Sequence, residues 1–282
     1  MKIFIGVPVY NRKEKVEKLA ESIQYLKNVD KHSLNIFDDC STEFDTGYLR
    51  KIFPTAHIFR NQTNLGADCN TYNIWKKFLK SEAELLFLCD SDLVLHPDCL
   101  SVIEKNICKT DGMLSLLNSS IHPTVAEVDD NLVLKRSVGS AGTVFSRELV
   151  KELMDSAVAQ YTVMWDWYFC MYLKEHGKRI MATKKSYAIH TGIDGENSNV
   201  LLFDYAMDYS CSSRFEKEVL CDLTIQFVEK YFSLTDGQKL KILTRKVVRE
   251  KARATVARLF GDRRLLDFLS VRKRRFKDKD KR

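Results

Sequence analysis

The chain of 282 residues carries 45 Lys and Arg against 38 Asp and Glu, a formal net charge of +7, and 45% of its residues are hydrophobic. This composition is ordinary for a soluble globular protein, and no stretch approaches the roughly 18 to 20 apolar residues of a membrane-spanning helix. The opening MKIFIGVPVYNR excludes a signal peptide because its apolar run is short, so we expect a cytoplasmic protein. The eight cysteines are scattered along the chain, and no two of them form a CxxC pair. We therefore interpret them as structural thiols rather than as a zinc site.

The first ninety residues alternate between strand and helix patterns. A β-rich run at 2–9 precedes helical spacing at 12–26, where apolar residues recur on one face. Further strands are predicted at 33–37, 57–60 and 85–89, and further helices at 44–52 and 70–79. This alternation predicts an α/β domain with a mainly parallel sheet.

Polar clusters follow the carboxyl end of each of these predicted strands. They are Tyr10-Asn11-Arg12, Asp38-Asp39, Asn64 and the pair Asp90 and Asp92. In open α/β sheets, ligands bind in the crevice beyond the carboxyl ends of the strands. The pattern therefore predicts one ligand site at this edge of the sheet.

The aspartate pair lies in the stretch LLFLCDSDLVL at 85–95. In an extended segment Asp90 and Asp92 point to the same side, and two like charges at the end of a buried strand need compensation. A divalent cation such as Mg²⁺ or Mn²⁺, completed by substrate phosphates, supplies it. The alternative is a solvated turn that happens to contain Asp-Ser-Asp.

The second half of the chain is less regular. Two strands are predicted within 132–145, around a small-residue stretch at 139–142 where the backbone could approach a ligand. A helix follows at 148–159, and a second helical stretch at 168–175 comes after Trp165-Asp166-Trp167. A short strand is predicted at 178–183 and a loop rich in Gly and Asn at 188–199.

The basic charge is confined to the end of the chain. Residues 241–282 hold seventeen Lys and Arg against five Asp and Glu, a balance of +12, which leaves −5 for the rest. A Lys/Arg-rich helical pattern with interspersed apolar residues is typical of a membrane-surface element. Alternatively, its first helices pack on the catalytic domain or on a second subunit, as in a homodimer. No known nucleic-acid-binding motif accompanies these basic residues, which argues against nucleic acid as a partner.

Seven short motifs occur in one order over about 200 residues. They are VPVYNR at 7–12, DDCS at 38–41, NLG at 64–66, DSD at 90–92, GTVFSREL at 142–149, WDW at 165–167 and HTG beginning at His190. On these motifs the chain resembles the family 2 glycosyltransferases of the GT-A fold, typified by bacterial polysaccharide and lipopolysaccharide transferases. The resemblance implies a GT-A catalytic domain over 1–215, with a nucleotide-binding half at 1–95 and an acceptor-binding half at 96–215. A helical basic extension would occupy 216–282.

The resemblance also implies roles for individual residues. The nucleotide sugar would be a UDP-sugar, because the family uses UDP most often. It would contact Pro8, Tyr10, Asn11, Arg12, Asp38, Asp39, Asn64, Gly66, Asn70, Asp90 and Ser91. Asp92 and His190 would hold Mn²⁺ or Mg²⁺, Asp166 would be the catalytic base, and Gly142, Trp165 and Trp167 would lie on the acceptor side. The sequence departs from the family at two places, which weakens the assignment of these roles. Residues Ala67-Asp68-Cys69 lack an Arg that many members carry before the position of Asn70. At the position of the base, Asp166 is a single carboxylate where an acidic pair is usual.

These residue types suit transfer from a nucleotide diphosphate sugar. A single base opposite a departing diphosphate favours direct displacement with inversion of the anomeric centre. Each residue also has a purely structural interpretation: His190 as a loop residue, Asp166 as a helix cap, the tryptophans as core and Asp38 as a turn residue. The expected acceptor is a lipid-linked or protein-linked saccharide, met by a peripheral enzyme on the inner face of a membrane.

Two other functions remain open from the sequence. A nucleotidyltransferase also uses a strand-end carboxylate pair with a metal, but GVPVYNR lacks the glycines of its phosphate loop. A non-catalytic relative would bind a nucleotide sugar or a glycan without turnover.

Overall fold

The computed structural model describes residues 1–160, 165–194, 200–244 and 247–248. Strands in this part are β1 (Ile3–Val9), β2 (Ser33–Asp38), β3 (His57–Arg60), β4 (Leu85–Leu88), β5 (Leu93–Leu95), β6 (Met113–Ser115), β7 (Thr124–Glu127), β8 (Leu132–Lys135), β9 (Thr143–Ser146), β10 (Met181–Thr183) and β11 (Ala188–His190). The helices are α1 (Lys13–Gln24), α2 (Thr46–Ile52), α3 (Ala67–Leu79), α4 (Cys99–Asn106), α5 (Arg147–Asp155), α6 (Trp165–Glu175) and α7 (Arg214–Ser233).

Nine of these strands form one sheet in the order β3-β2-β1-β4-β9-β6-β10-β8-β7. The first four are parallel, as the βα alternation predicts. Beyond β4 the sheet is mixed, because β9 runs antiparallel to both β4 and β6 and β8 runs antiparallel to β10 and β7. The expectation of a mainly parallel sheet therefore holds only for the first half of the chain.

Helices cover both faces of the sheet. The side chains of Ile3, Ile5 and Val7 pack on one face with residues of α1, α2 and α4. Phe4 points to the other face, where it joins α3, α5 and α6. Parallel strands buried on both faces are apolar at every position, which explains why the run at 2–9 lacks alternation.

A second, two-stranded sheet follows the aspartate pair. β11 pairs antiparallel with β5, so that His190 lies opposite Leu93. The predicted loop at 188–199 is therefore wrong at its start. β5, β6 and β11 have three residues each, too few to show strand periodicity in sequence.

The basic extension begins against the domain. Val219 and Leu223 of α7 are buried in a small core with Val94 and Ile189 of the two-stranded sheet. A capping box between Ser213 and Glu216 fixes the start of this helix. Residues 236–244 are also helical, and the remainder of the predicted basic tail, from 249 on, lies outside the described residues. None of the helices within the described ranges combines the length and the apolar character that crossing a bilayer requires.

Candidate active site

The loop after β1 turns sharply and joins the loop after β2. Asn11 and Arg12 both have positive φ angles, 52° and 59°. The Asn11 side-chain oxygen accepts hydrogen bonds from the backbone N–H groups of Thr42 (2.7 Å) and Glu43 (3.2 Å). Tyr10 remains 44% exposed, so its ring is free to contact a ligand at this edge. Pro8 lies one position inside the strand, paired with Phe37.

The two aspartates at the end of β2 are both buried and both accept hydrogen bonds. Asp38 pairs with Arg60 and accepts a hydrogen bond from the Ser41 N–H at 2.9 Å. Asp39 accepts from the N–H groups of Leu65 (2.9 Å) and Gly66 (2.8 Å). These bonds hold the loop at 61–66 against β2, and a contact between Asp39 and a nucleotide base stays a prediction.

The turn at Asn64 and Gly66 is built by the same network. Gly66 has a φ of 87°, which favours glycine, and its N–H also donates to the Asn64 side chain at 2.8 Å. Asn70, on the first turns of α3, donates to the Phe37 carbonyl at 2.8 Å and is 2% exposed. Asn70 therefore ties the start of α3 to β2, and its contact with a nucleotide stays a prediction.

Asp92 is the centre of a charged cluster at the carboxyl edge of β1 and β4. Its Oδ2 accepts from Arg12 Nη1 at 2.7 Å and lies 3.2 Å from His190 Nε2. The second nitrogen of the Arg12 guanidinium reaches Asp194 Oδ1 at 3.0 Å. Residues from three separate motifs thus meet at one carboxylate oxygen.

The pairing of β5 with β11 explains why His190 reaches Asp92. The Asp92 carbonyl accepts from both the N–H and the hydroxyl of Thr191, each at 2.8 Å, which continues the ladder past His190. Gly192 then passes so close that an added Cβ would overlap Asp92 Oδ2 and lie 2.8 Å from His190 Nε2. Only glycine fits at this position without displacing the two side chains.

The charges in this cluster depend on one another. Burial alone would raise the pKa of Asp92, but the charges and hydrogen bonds of His190 and Arg12 hold it well below its usual range. Burial would lower the pKa of His190, but the charge of Asp92 raises it to about 9. Burial, followed by repulsion from Asp92, raises the pKa of Asp90 to about 7. Near neutral pH, Asp92 and His190 therefore form a charged pair.

The donor set at this point suits a hard divalent cation. Among the residues that the structure describes, no three His, Cys, Asp or Glu side chains form a closed metal site. Mg²⁺ is commonly held by one or two protein ligands, with waters and substrate phosphates completing the octahedron. Asp92 Oδ2 and His190 Nε2, 3.2 Å apart, have about the spacing of neighbouring octahedral ligands. A cation would replace the proton on His190, so its affinity should rise with pH.

The residues predicted to lie on the acceptor side differ in their exposure to solvent, and some are core residues. Asp166 lies in the first turn of α6, within electrostatic reach of Asp90. Trp167 is 37% exposed, whereas Trp165 is 4% exposed and packs edge-on against Trp75. Gly142 is buried at the turn into β9 with a φ of 69°. Trp165 and Gly142 are therefore core residues rather than surface contacts for an acceptor, and stacking of Trp167 on a sugar stays a prediction.

Comparisons with known proteins bear on the family and on the fold of the chain. Residues 4–118 match the sequence model of glycosyl transferase family 2, a span that includes β1 to β6 and the aspartate pair. The resemblance to the family 2 glycosyltransferases is confirmed. No curated protein matches the sequence in a second comparison.

Solved structures support the GT-A fold of this family 2 segment and of the chain around it. TarS of S. aureus, residues 1–349 in complex with UDP, is 18% identical, with 92% of this chain and 75% of that chain covered and a TM-score of 0.52. The same protein in complex with UDP-GlcNAc is 17% identical, with 92% and 76% covered and a TM-score of 0.52. Another TarS structure matches with 17% identity and a TM-score of 0.52, over 86% of this chain but 42% of the TarS chain. At these identities the likeness shows the fold.

Three site features escape the motifs of the family. The sequence motifs place Arg12 near the nucleotide but give no sign of its ion pair with Asp92. Gly192 belongs to the HTG motif, but its steric role depends on its contact with Asp92, which lies 100 residues earlier in the chain. Asp204 belongs to none of the motifs, although its charge affects the pKa values of both Asp90 and His190. Each of these features depends on which distant loops meet, and no local pattern encodes that.

Proposed function

We propose that this protein is a metal-dependent, inverting glycosyltransferase that moves a sugar from a nucleotide diphosphate sugar, most simply a UDP-sugar, to a saccharide acceptor. The acceptor would be lipid-linked or protein-linked, and the reaction would belong to polysaccharide or glycoconjugate synthesis. The family 2 segment and the GT-A fold support this class of reaction. The TarS complexes with UDP and UDP-GlcNAc support UDP as the carrier nucleotide.

One observation carries the proposal. Arg12 and His190 converge on Asp92 at the strand edge where the loops after β1, β2 and β4 meet. A diphosphate at this edge would face the Arg12 guanidinium and the cation held by Asp92 and His190, and Arg12 would turn from Asp92 to a phosphate oxygen. Charge-assisted hydrogen bonds from Arg to phosphate are among the stronger ones in proteins.

The remaining side chains supply binding and proton transfer. Asn11, Asp39 and the turn at 64–66 would shape the nucleotide pocket, and Asp90 and Ser91 would face the ribose or the sugar. Bound Mn²⁺ or Mg²⁺, held by Asp92 and His190, would neutralise the negative charge of the diphosphate leaving group. Asp166 would accept the proton of the attacking acceptor hydroxyl, which Trp167 would help to orient.

The direct test is hydrolysis of a panel of UDP-, GDP- and CDP-sugars by the wild-type protein, measured as released nucleotide with Mn²⁺, Mg²⁺ or EDTA. We expect slow release from one donor, lost in EDTA and restored by the metal. The anomeric configuration of the first-formed sugar, read by NMR before mutarotation, tests inversion. Metal-dependent nucleotide binding with no turnover of any donor would instead favour a non-catalytic relative.

The extension offers a surface for the membrane on which a lipid-linked acceptor would lie. Leu240, Leu243, Val247 and Val248 are exposed, in a region where basic residues exceed acidic ones. We expect the full chain to sediment with phosphatidylglycerol vesicles, but not with phosphatidylcholine vesicles, and to be released by high salt. Equal binding to both lipids, or none to either, would remove the membrane from the proposal.

A further inference from the structure

A carboxylate outside every motif lies in the same site. Asp204 follows a short 3-10 turn at Val200–Leu202, and its Oδ1 is buried without a hydrogen-bond partner among the residues that the structure describes. Burial raises the pKa of Asp204 to about 6, and its charge contributes to the pKa values of both Asp90 and His190. An unpartnered buried carboxylate is costly unless a ligand supplies the missing donors.

The position of Asp204 is fixed by its neighbours. Phe203, 2% exposed, stacks on the His190 ring with centroids 5.0 Å apart, and Tyr205 packs edge-on against Phe203 at 4.8 Å. The Tyr205 carbonyl accepts from the Ser120 N–H at 3.1 Å, which ties this segment to the loop after β6. The backbone at Asp204 is therefore anchored on both sides, next to the His190 ring.

A histidine converges on the same space. An ideal Cβ built on Gly139 would lie 3.7 Å from Asp204 Oδ2 and 3.8 Å from His122 Nε2, so both atoms approach one side of Gly139. His122 Nδ1 is paired with the Ser137 hydroxyl at 2.9 Å, which orients the ring. Burial lowers the pKa of His122 to about 4, so the ring is neutral and can exchange one hydrogen bond at Nε2.

A buried ammonium stands behind this pair. Lys135 is 3% exposed and donates to Asn118 Oδ1 at 2.7 Å, to the Ser119 carbonyl at 3.1 Å and to the Thr124 hydroxyl at 3.2 Å. With its three donors occupied, Lys135 steadies the ionised form of Asp204 through charge without forming a direct hydrogen bond to it. The carboxylate thus keeps its acceptor oxygens available for a ligand.

We propose that Asp204 and His122, which approach the same side of Gly139, form the subsite that binds hydroxyl groups of the transferred sugar. Sugar hydroxyls both donate and accept, which matches a carboxylate beside a neutral imidazole. The subsite lies next to the end of the site that would hold the diphosphate, because Phe203, the neighbour of Asp204, stacks on the His190 ring. The transferred sugar is attached to that diphosphate, so the subsite is assigned to the sugar rather than to the nucleotide base. This inference rests on the proposed function, and it assigns to Asp204 and His122 the selection of the donor sugar.

The test compares the affinity for UDP with the affinity for the UDP-sugar that the wild type hydrolyses fastest, by calorimetry in Mn²⁺. In Asp204→Asn we expect the affinity for the UDP-sugar to fall about tenfold, while the affinity for UDP changes less than twofold. Gly139→Ala adds a methyl group at ordinary contact distance from both side chains, and it should give the same selective loss without affecting folding. Asp208→Asn, at an exposed site four residues along the chain, is the matched control.

Specificity gives a readout that a purely structural role would not move. UDP-glucose and UDP-galactose differ in the direction of one hydroxyl, and the wild-type ratio of kcat/KM for their hydrolysis should move towards one in Asp204→Asn. If Asp204→Asn lost affinity equally for UDP and for the UDP-sugar, or lost none for either, the subsite would be overturned. Turnover by the wild type would then still support the proposed function. A wild type that neither binds nor hydrolyses any nucleotide sugar of the panel would overturn the proposed function and the subsite together.

Discussion

Asp92→Asn should reduce metal-dependent turnover by at least about 10³-fold and abolish the tighter binding of UDP that Mn²⁺ produces. The substitution keeps the size of the side chain but removes the charge on which Arg12 and His190 converge. An uncharged amide is a poor ligand for a divalent cation beside two cationic groups. Released nucleotide and calorimetry with UDP and Mn²⁺ measure the two effects.

The matched control is Asp98→Asn. Asp98 is 42% exposed in its side chain and pairs with Lys27 at the surface, where an ion pair contributes little. Turnover should remain within twofold of wild type. Undiminished, Mn²⁺-dependent hydrolysis by Asp92→Asn would show that the aspartate pair is a structural turn.

Gly192→Ala tests the same site without removing a charge. Its Cβ would collide with Asp92 Oδ2, so the cluster must shift, and a displacement near 1 Å can lower a rate about 10²-fold. Gly237→Ala is the control, since its Cβ would meet only the Thr235 hydroxyl at 4.0 Å. A fully active Gly192→Ala would argue against close packing of this loop on Asp92 and His190.

Asp166→Asn should lower kcat by about 10² to 10⁴-fold with little change in the affinity for UDP and Mn²⁺. Loss of a general base removes proton transfer from the acceptor hydroxyl but leaves the nucleotide pocket intact. The split between kcat and binding separates a catalytic base from a helix cap, because a lost cap would lower stability instead. Steady-state kinetics, calorimetry and thermal unfolding together make the distinction.

Asp155→Asn, exposed near the end of α5, is the control for a surface carboxylate, and all three measurements should match wild type. A drop in melting temperature for Asp166→Asn with unchanged kcat would assign Asp166 to structure. The general base would then have to be sought elsewhere.

The sequence by itself determined the class of fold and the edge at which the site lies. Strand and helix periods alternate over the first ninety residues, and the polar side chains after β1, β2 and β4 all come at strand ends. Because parallel strands place their carboxyl ends at one edge, the chain order alone brings Asn11, Asp39 and Asp90 to the same side. The DSD and HTG motifs, through their family resemblance, added Asp92 and His190.

The tertiary structure decided which of these groups touch. The three-residue strand β11 carries no periodic signal, yet its pairing with β5 is what brings His190 to Asp92. Arg12 reaches the same oxygen because two consecutive residues have positive φ, a conformation that Asn11 favours but that the sequence does not impose on Arg12. Asp204 depends on a loop more than 100 residues from Asp90. Local patterns record which residues share an element, whereas these contacts arise from long-range packing, which no short stretch of sequence determines.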